Sequence, residues 1–201
     1  MKILAISCSP RHNGNTMAIL KEALHGAQDE KADVELYSVS GKTIQPCDGC
    51  RSCNDTGNCH ITDDMQELYD KIVKADGIIF GTPIYFWGMT GQAKTVMDRT
   101  IALNQPGRNL TNKVAGVVVV CSSLGLVDAL KDYSYFIVQR RMLPANHVAA
   151  YVSKPEDLKN MEQCITAAYR MGQQMVALIN MNFRYPDEFI ERYGAYGTNR
   201  K

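Results

Sequence analysis

Lys2-Ile3-Leu4-Ala5-Ile6-Ser7-Cys8-Ser9-Pro10-Arg11-His12-Asn13-Gly14-Asn15-Thr16 is the stretch that decides the fold. Lys2–Ser7 reads as a buried strand. Asn15 and Thr16 open an amphipathic helix that runs to about Gln28. Between them lies a polar loop that ends on a helix N-terminus. Backbone N–H groups and the helix dipole at such a place offer an anion site. Ser9 and Thr16 supply hydroxyl donors, Asn15 an amide, and Arg11 a forked cation. The loop has neither the G-x-G-x-x-G of a dinucleotide fold nor the G-K-[ST] of a P-loop. A monophosphate is therefore the expected ligand, and an ordinary capped strand–helix turn is the alternative.

The same alternation continues along the chain. Strands are expected at Val34–Val39, Gly77–Phe80, Val114–Cys121 and His147–Val152. Val114–Cys121 is nearly all valine, the pattern of a central parallel strand covered on both faces. Helices are expected from Thr62 to about Lys74, Thr90 to about Ala102, Val127 to about Arg141, and after Pro155 to about Ile179. Asp63 and Asp64 suit the positive end of the dipole of the first of these. Five strands alternating with five helices predict an α/β, doubly wound, five-stranded parallel sheet. Residues 1–180 form one unit in this reading, with a cysteine-rich loop, residues 40–61, inserted. Residues 181–201 form a tail rich in aromatics (Phe183, Tyr185, Phe189, Tyr193, Tyr196), a candidate interface element.

A net charge of +1 provides no basic field for nucleic acid. No apolar run approaches the roughly 18 residues needed to span a bilayer, and Met1 leads straight into the first strand with no signal-peptide pattern. The expectation is a cytoplasmic protein with no membrane partner. Seven cysteines are many for such a chain. Clustered cysteines in that compartment point to metal or redox chemistry rather than disulfides. Cys8, Cys121 and Cys164 are scattered and read as small apolar residues. Cys47, Cys50, Cys53 and Cys59 form a C-x2-C-x2-C-x5-C run, in a segment too short to have a core of its own. Structural zinc sites usually draw on two Cys-x2-Cys pairs separated by a longer loop. Here the third cysteine follows after only two residues, closer to the spacing of [4Fe–4S] ligands. Gly49 and Gly57 relieve backbone strain in the wrap. Zinc, or a metal-free thiol loop, is the alternative. His60 adjoins Cys59 and reads as a solvated histidine or a ligand.

The third strand ends in Gly81-Thr82-Pro83-Ile84-Tyr85-Phe86-Trp87-Gly88. Ligands of such sheets bind beyond the carboxyl ends of the strands. Aromatics at that edge suit a flat ring, or else belong to a core or a subunit interface. A phosphate loop and an aromatic loop at one edge together fit FMN.

The motifs S-x-S-P-R-x-x-G-N-T, G-T-P-I-Y-F-W-G-M-T-G-Q-A-K and M-D-R (Met97–Arg99), in this order, resemble the NAD(P)H-dependent FMN reductase branch of the flavodoxin-like superfamily. The cysteine run followed by I-T-D-D-M resembles a subset of it, the iron-sulfur flavoproteins. The match spans about residues 1–140. It implies that Ser9, Arg11, Asn15 and Thr16 hold the FMN phosphate and that Pro83, Ile84, Tyr85, Phe86 and Trp87 line the ring. Backbone amides near Tyr85–Gly88 would tune the flavin, and the four cysteines would hold a [4Fe–4S] cluster. The loop after the fourth strand, Cys121–Val127, departs from the pattern by lacking a glycine and a polar dipeptide.

The expected function is an electron-transfer flavoprotein. Single electrons would pass from a ferredoxin-like donor through the cluster to FMN, and on to a small acceptor such as a quinone, dioxygen or peroxide. No catalytic side chain is expected. An NAD(P)H-dependent FMN or quinone reductase with a structural cysteine loop is the second reading, and a redox- or metal-sensing module the third. The resemblance also implies a homodimer or homotetramer.

Overall fold

A computed structural model describes residues 1–104, 109–152 and 154–186. Five parallel strands, β1 (Lys2–Ser7), β2 (Asp33–Ser38), β3 (Gly77–Tyr85), β5 (Val114–Cys121) and β6 (Leu143–Tyr151), pair in the order β2-β1-β3-β5-β6. This is the flavodoxin-type order, with its switch point between β1 and β3. A two-residue strand, β4 (Gly88–Met89), turns back antiparallel on the end of β3. Helices α1 (Asn15–Asp29) and α6 (Glu162–Asn180) cover one face. Helices α3 (Met65–Lys74), α4 (Gly91–Arg99) and α5 (Leu126–Gln139) cover the other. A five-residue helix, α2 (Ser52–Thr56), lies within the cysteine segment.

Alternation along β1 and β5 distributes their residues to the two cores. Leu4, Ile6, Val117 and Val119 face α3, α4 and α5, whereas Ile3, Ala5, Val118 and Val120 face α1 and α6. Every residue of β5 is buried, as a strand of valines between two helical layers must be.

The sequence placed β1 and β5 to the residue, and its other boundaries shift. β6 starts at Leu143 rather than His147, because Leu143 and Pro144 already pair with Val114 and Ala115. The last helix starts at Glu162, preceded by a 3-10 turn over Pro155–Asn160. Proline suits the first turn of either helix type, so it marked the start of the turn. The first helix expected after the cysteines starts at Met65 rather than Thr62. Among the tail aromatics, Phe183 and Tyr185 pair edge to face at 5.2 Å, and Tyr185 N donates to Asn112 Oδ1. Phe189, Tyr193 and Tyr196 lie outside the described residues. Among the described residues no helix is long and apolar enough to cross a membrane.

Candidate functional site

Among the described residues, two cavities gather the candidate residues, and they share no lining residue. The first, of about 240 Å³, is walled by Ser9, Arg11, Asn15 and Thr16 on one side and by Pro83, Ile84 and Tyr85 on the other, with Cys121 and Ser122 completing it. Seven of the ten residues read as cofactor contacts thus meet in one place. The loop is held locally: Arg11 N donates to Ser9 Oγ at 3.1 Å, and Ser40 Oγ donates to Pro10 O at 2.7 Å. Gly14 caps α1 without a side-chain hydrogen bond, and the first turn of α1 contains no acid. Among the described residues no side chain caps that turn, and Gly14, Asn15 and Thr16 line a cavity together with Arg11. This donor set fits a phosphate.

The other three residues, Phe86, Trp87 and Gly88, lie beyond the cavity wall. Ile84 pairs with Met89 and Tyr85 with Gly88, so Phe86 and Trp87 are the two turn residues of a tight hairpin. Both have positive φ, 46° and 63°, in a turn that normally takes Asn-Gly. Phe86 is 96% exposed and Trp87 63%. The turn is braced from two sides. Thr90 Oγ1 donates to Cys8 O and accepts from Ala93 N, and Thr90 N donates to Thr82 Oγ1, which ties the hairpin to the phosphate-type loop and to α4. On the far side Gly125, at φ +100°, lies so close that a Cβ there would sit 2.3 Å from Trp87 Cα. The loop Cys121–Val127, poorest in family features, is thus the hairpin's support.

Gly125→Ala must displace that turn as well as bear a left-handed alanine, which costs about 1–2 kcal/mol by itself. Trp87 is the sole tryptophan. The expected outcome is a melting temperature several degrees lower and a red-shifted tryptophan emission. Emission identical to the parent's would show that the hairpin does not lean on Gly125.

The second cavity, of about 520 Å³, is lined by all four clustered cysteines, with Ile61, Arg99 and Asn104 among its other walls. Gly49 and Gly57 adopt the positive φ that the wrap required, and Arg51 does so as well. The segment does not stand apart from the core as its length suggested. Cys53 is buried in the core cluster and Cys59 packs against it, while Cys47 and Cys50 stay exposed. Burial raises the Cys53 thiol, and Cys59 adds to the effect. His60 Nε2 lies 2.7 Å from Asp48 Oδ2, so His60 has a carboxylate partner within the loop. Asp48, Cys50 and His60 bring their ligand atoms within 4.8 Å of one another, all exposed.

Arg99, which stands in the sequence only as the end of the M-D-R motif, has a larger role in the structure. Its guanidinium is fully buried, paired with Asp63 at 2.7 and 3.1 Å. It also donates to Gln45 O at 2.7 Å and Ile61 O at 3.4 Å, and its Nε donates to Tyr69 Oη at 3.3 Å. Gln45 precedes the first cysteine and Ile61 follows the last, so one side chain fastens both ends of the segment. Burial works to raise the Asp63 carboxyl, but Arg99 and the N–H groups of Gln45 and Met65 outweigh it and hold Asp63 below the usual carboxylate range. The scattered cysteines behave as core residues: Cys8, Cys121 and Cys164 are buried. Burial pushes the Cys8 thiol up to about 12, leaving it protonated and inert at neutral pH.

The sheet has the flavodoxin-type strand order, and relatives identify the chain as a flavin redox protein. The family described as NADPH-dependent FMN reductase matches residues 1–157. An iron-sulfur flavoprotein of Methanocaldococcus jannaschii is 34% identical over 191 residues, 90% of this chain and 98% of its own length. Among solved structures, a flavone reductase superposes with a TM-score of 0.71 at 24% identity, over 92% of this chain and 65% of that one. A flavodoxin from the domain Archaea superposes with a TM-score of 0.60 at 16% identity, over 90% and 99%. The chain belongs to the NADPH-dependent FMN reductase family and, within it, to the iron-sulfur flavoproteins. It is a flavin-dependent oxidoreductase.

Proposed function

We propose that this chain is an electron-transfer flavoprotein, taking single electrons from a ferredoxin-like donor through a [4Fe–4S] cluster to FMN and delivering them to a small acceptor such as a quinone, dioxygen or peroxide. The observation that supports this reading is the convergence of Cys47, Cys50, Cys53 and Cys59 on one cavity, separate from the cavity that gathers Ser9, Arg11, Asn15 and Thr16. When bound, FMN supplies a carrier of one or two electrons and the cluster a one-electron relay.

The residues divide the work. Arg11 and the uncapped N-terminus of α1 hold the phosphate, with Ser9, Asn15 and Thr16 as further donors. Pro83, Ile84 and Tyr85 would line the ring, and the exposed Phe86–Gly88 turn beside them would supply further aromatic surface. The four cysteines present thiolates from a segment closed at both ends by Arg99. Sulfurs spread round a cavity of this size suit a cubane, with one thiolate per iron, better than a single zinc, whose ligands must lie about 4 Å apart.

The protein purified without oxygen is expected to show flavin bands, a broad shoulder near ~400 nm, and about four irons and four sulfides per chain. Flavin without iron would overturn the electron-relay reading. It would favour the second reading, which the family's description supports: an NAD(P)H-dependent reductase with a structural cysteine segment. Arg11→Ala is expected to weaken FMN binding about tenfold or more, since a charge-assisted bond to phosphate contributes roughly 1.5–3 kcal/mol. Quenching of Trp87 fluorescence during FMN titration reads this directly. An unchanged Kd would remove Arg11 from the phosphate site.

A further inference from the structure

We infer that Arg99 is the positioning residue of the cysteine centre, and that its buried charge, set by its pairing with Asp63, raises the reduction potential of the cluster those cysteines hold. The inference rests on the cluster reading above and adds to it. Four observations carry it. The Arg99 side chain is 0% exposed and lines the cavity shared by the four cysteines. It ties the segments before the first cysteine and after the last through the carbonyls of Gln45 and Ile61. It is itself held on three sides, by both oxygens of Asp63 and by Tyr69 Oη, whose hydroxyl donates back to Arg99 O at 2.9 Å. Finally, Cys59 packs against the core cluster that contains Tyr69 and lines the same cavity as Arg99.

A cubane with four thiolate ligands is an anion, and its negative charge grows by one on reduction. A fixed positive charge in the wall favours the more negative state, and net charge near a cluster is one of the main settings of its potential. Such an effect is strong where water is excluded. Arginine stays protonated through any accessible pH and is weakly hydrated, so it is suited to carry this charge while buried. Asp63 has the opposite effect: it neutralises part of the Arg99 charge as seen from the cavity. The two residues of one ion pair should therefore move the potential in opposite directions. A purely structural role for the pair predicts that both variants act alike.

The test is a potentiometric titration followed by electron paramagnetic resonance on anaerobically reconstituted protein, with iron and FMN content measured in parallel. Arg99→Gln is expected to move the midpoint to more negative values, Asp63→Asn to more positive values, and Arg99→Lys to leave it near the parent's. FMN content should stay at the parent level in all three, because Arg99 and Asp63 do not line the phosphate cavity. Midpoints that coincide, or that move the same way in Arg99→Gln and Asp63→Asn, would overturn the inference. If Arg99→Gln takes up no iron, Asp63→Asn against Arg99→Lys carries the comparison: a more positive midpoint for Asp63→Asn supports it, and equal midpoints end it. Parent protein without iron would instead refute the cluster reading itself, before any variant is compared.

Discussion

Cys50→Ser is expected to abolish iron and labile sulfide while FMN stays bound at the parent stoichiometry. The two cavities have no residue in common, and they are built from different elements. One is made by residues 47–61 and the end of α4, the other by the β1–α1 loop and the ends of β3 and β5. Cys50 is the best choice of the four because it is exposed. Its N–H donates to Asp48 Oδ1, and its Sγ lies 3.5 Å from Ser52 Oγ. A hydroxyl in that position disturbs no packing, so the loss reports on ligation alone. Cys53→Ser would also place a hydroxyl in the core, and its result would mix ligation with stability. Iron and sulfide assays beside flavin absorbance at constant protein concentration decide the matter. Loss of both cofactors together would mean that the two sites are one.

The parts legible in the sequence were those fixed by local physics. β1 and β5 declared themselves because a strand buried on both faces has almost no choice but aliphatic residues. The strand–loop–helix turn at Ser9–Thr16 was legible because a buried strand, a polar loop and a helix start follow one another in immediate succession. The spacing of Cys47, Cys50, Cys53 and Cys59 pointed to a shared ligand because so short a segment brings its thiols together wherever the chain goes.

Other features depended on contacts distant in sequence. Asp63 looked like a helix-start acid, and it does accept from Met65 N at 3.0 Å. Its larger role, the pair with Arg99 across 36 positions, carries no local signature. Met97–Arg99 stands out in the sequence only as a family motif, and nothing in its neighbours hints that Arg99 is buried. Helix α2 escaped notice because left-handed residues at both ends, Arg51 and Gly57, create it, and an arginine at positive φ is not a readable signal. The Phe86–Trp87 turn hid for the same reason. Without Asn or Gly at its two central positions it read as strand-end aromatics rather than a hairpin tip. The Thr90 hydrogen bonds on one side and the close approach of Gly125 on the other explain how it is held there.

Gly172→Ala is expected to destabilise the protein by about 3 kcal/mol, the upper part of the range for overpacking, although alanine is the better helix former by about 1 kcal/mol. The reason is the crossing of α1 and α6. A Cβ on Gly172 would lie 1.9 Å from Ala23 O and 2.7 Å from Ala27 N, and a Cβ on Gly26 would lie 1.9 Å from Tyr169 O. Each helix offers a glycine to the other's backbone, so the clash is with main chain that cannot rotate away. Side-chain bonds flank the crossing, Tyr169 Oη to Asp29 Oδ2 at 2.6 Å and Gln173 Nε2 to Glu30 Oε1 at 2.9 Å, so a separation would strain these as well. At roughly 2–4 °C per kcal/mol for a chain of this size, the melting temperature should fall by about 6–12 °C. Gly91→Ala is the control. It too adds a methyl to a helical glycine, but nothing lies within 4 Å of that Cβ, so its melting temperature should hold or rise. Equal melting temperatures for the two variants would refute the close crossing. The effect should reach the phosphate cavity, because α1 carries Asn15 and Thr16 on its first turn and α6 packs beside it on the same face of the sheet. A weaker FMN affinity in Gly172→Ala, with iron content unchanged, would show that the two helices crossing at glycine set the position of the anion site.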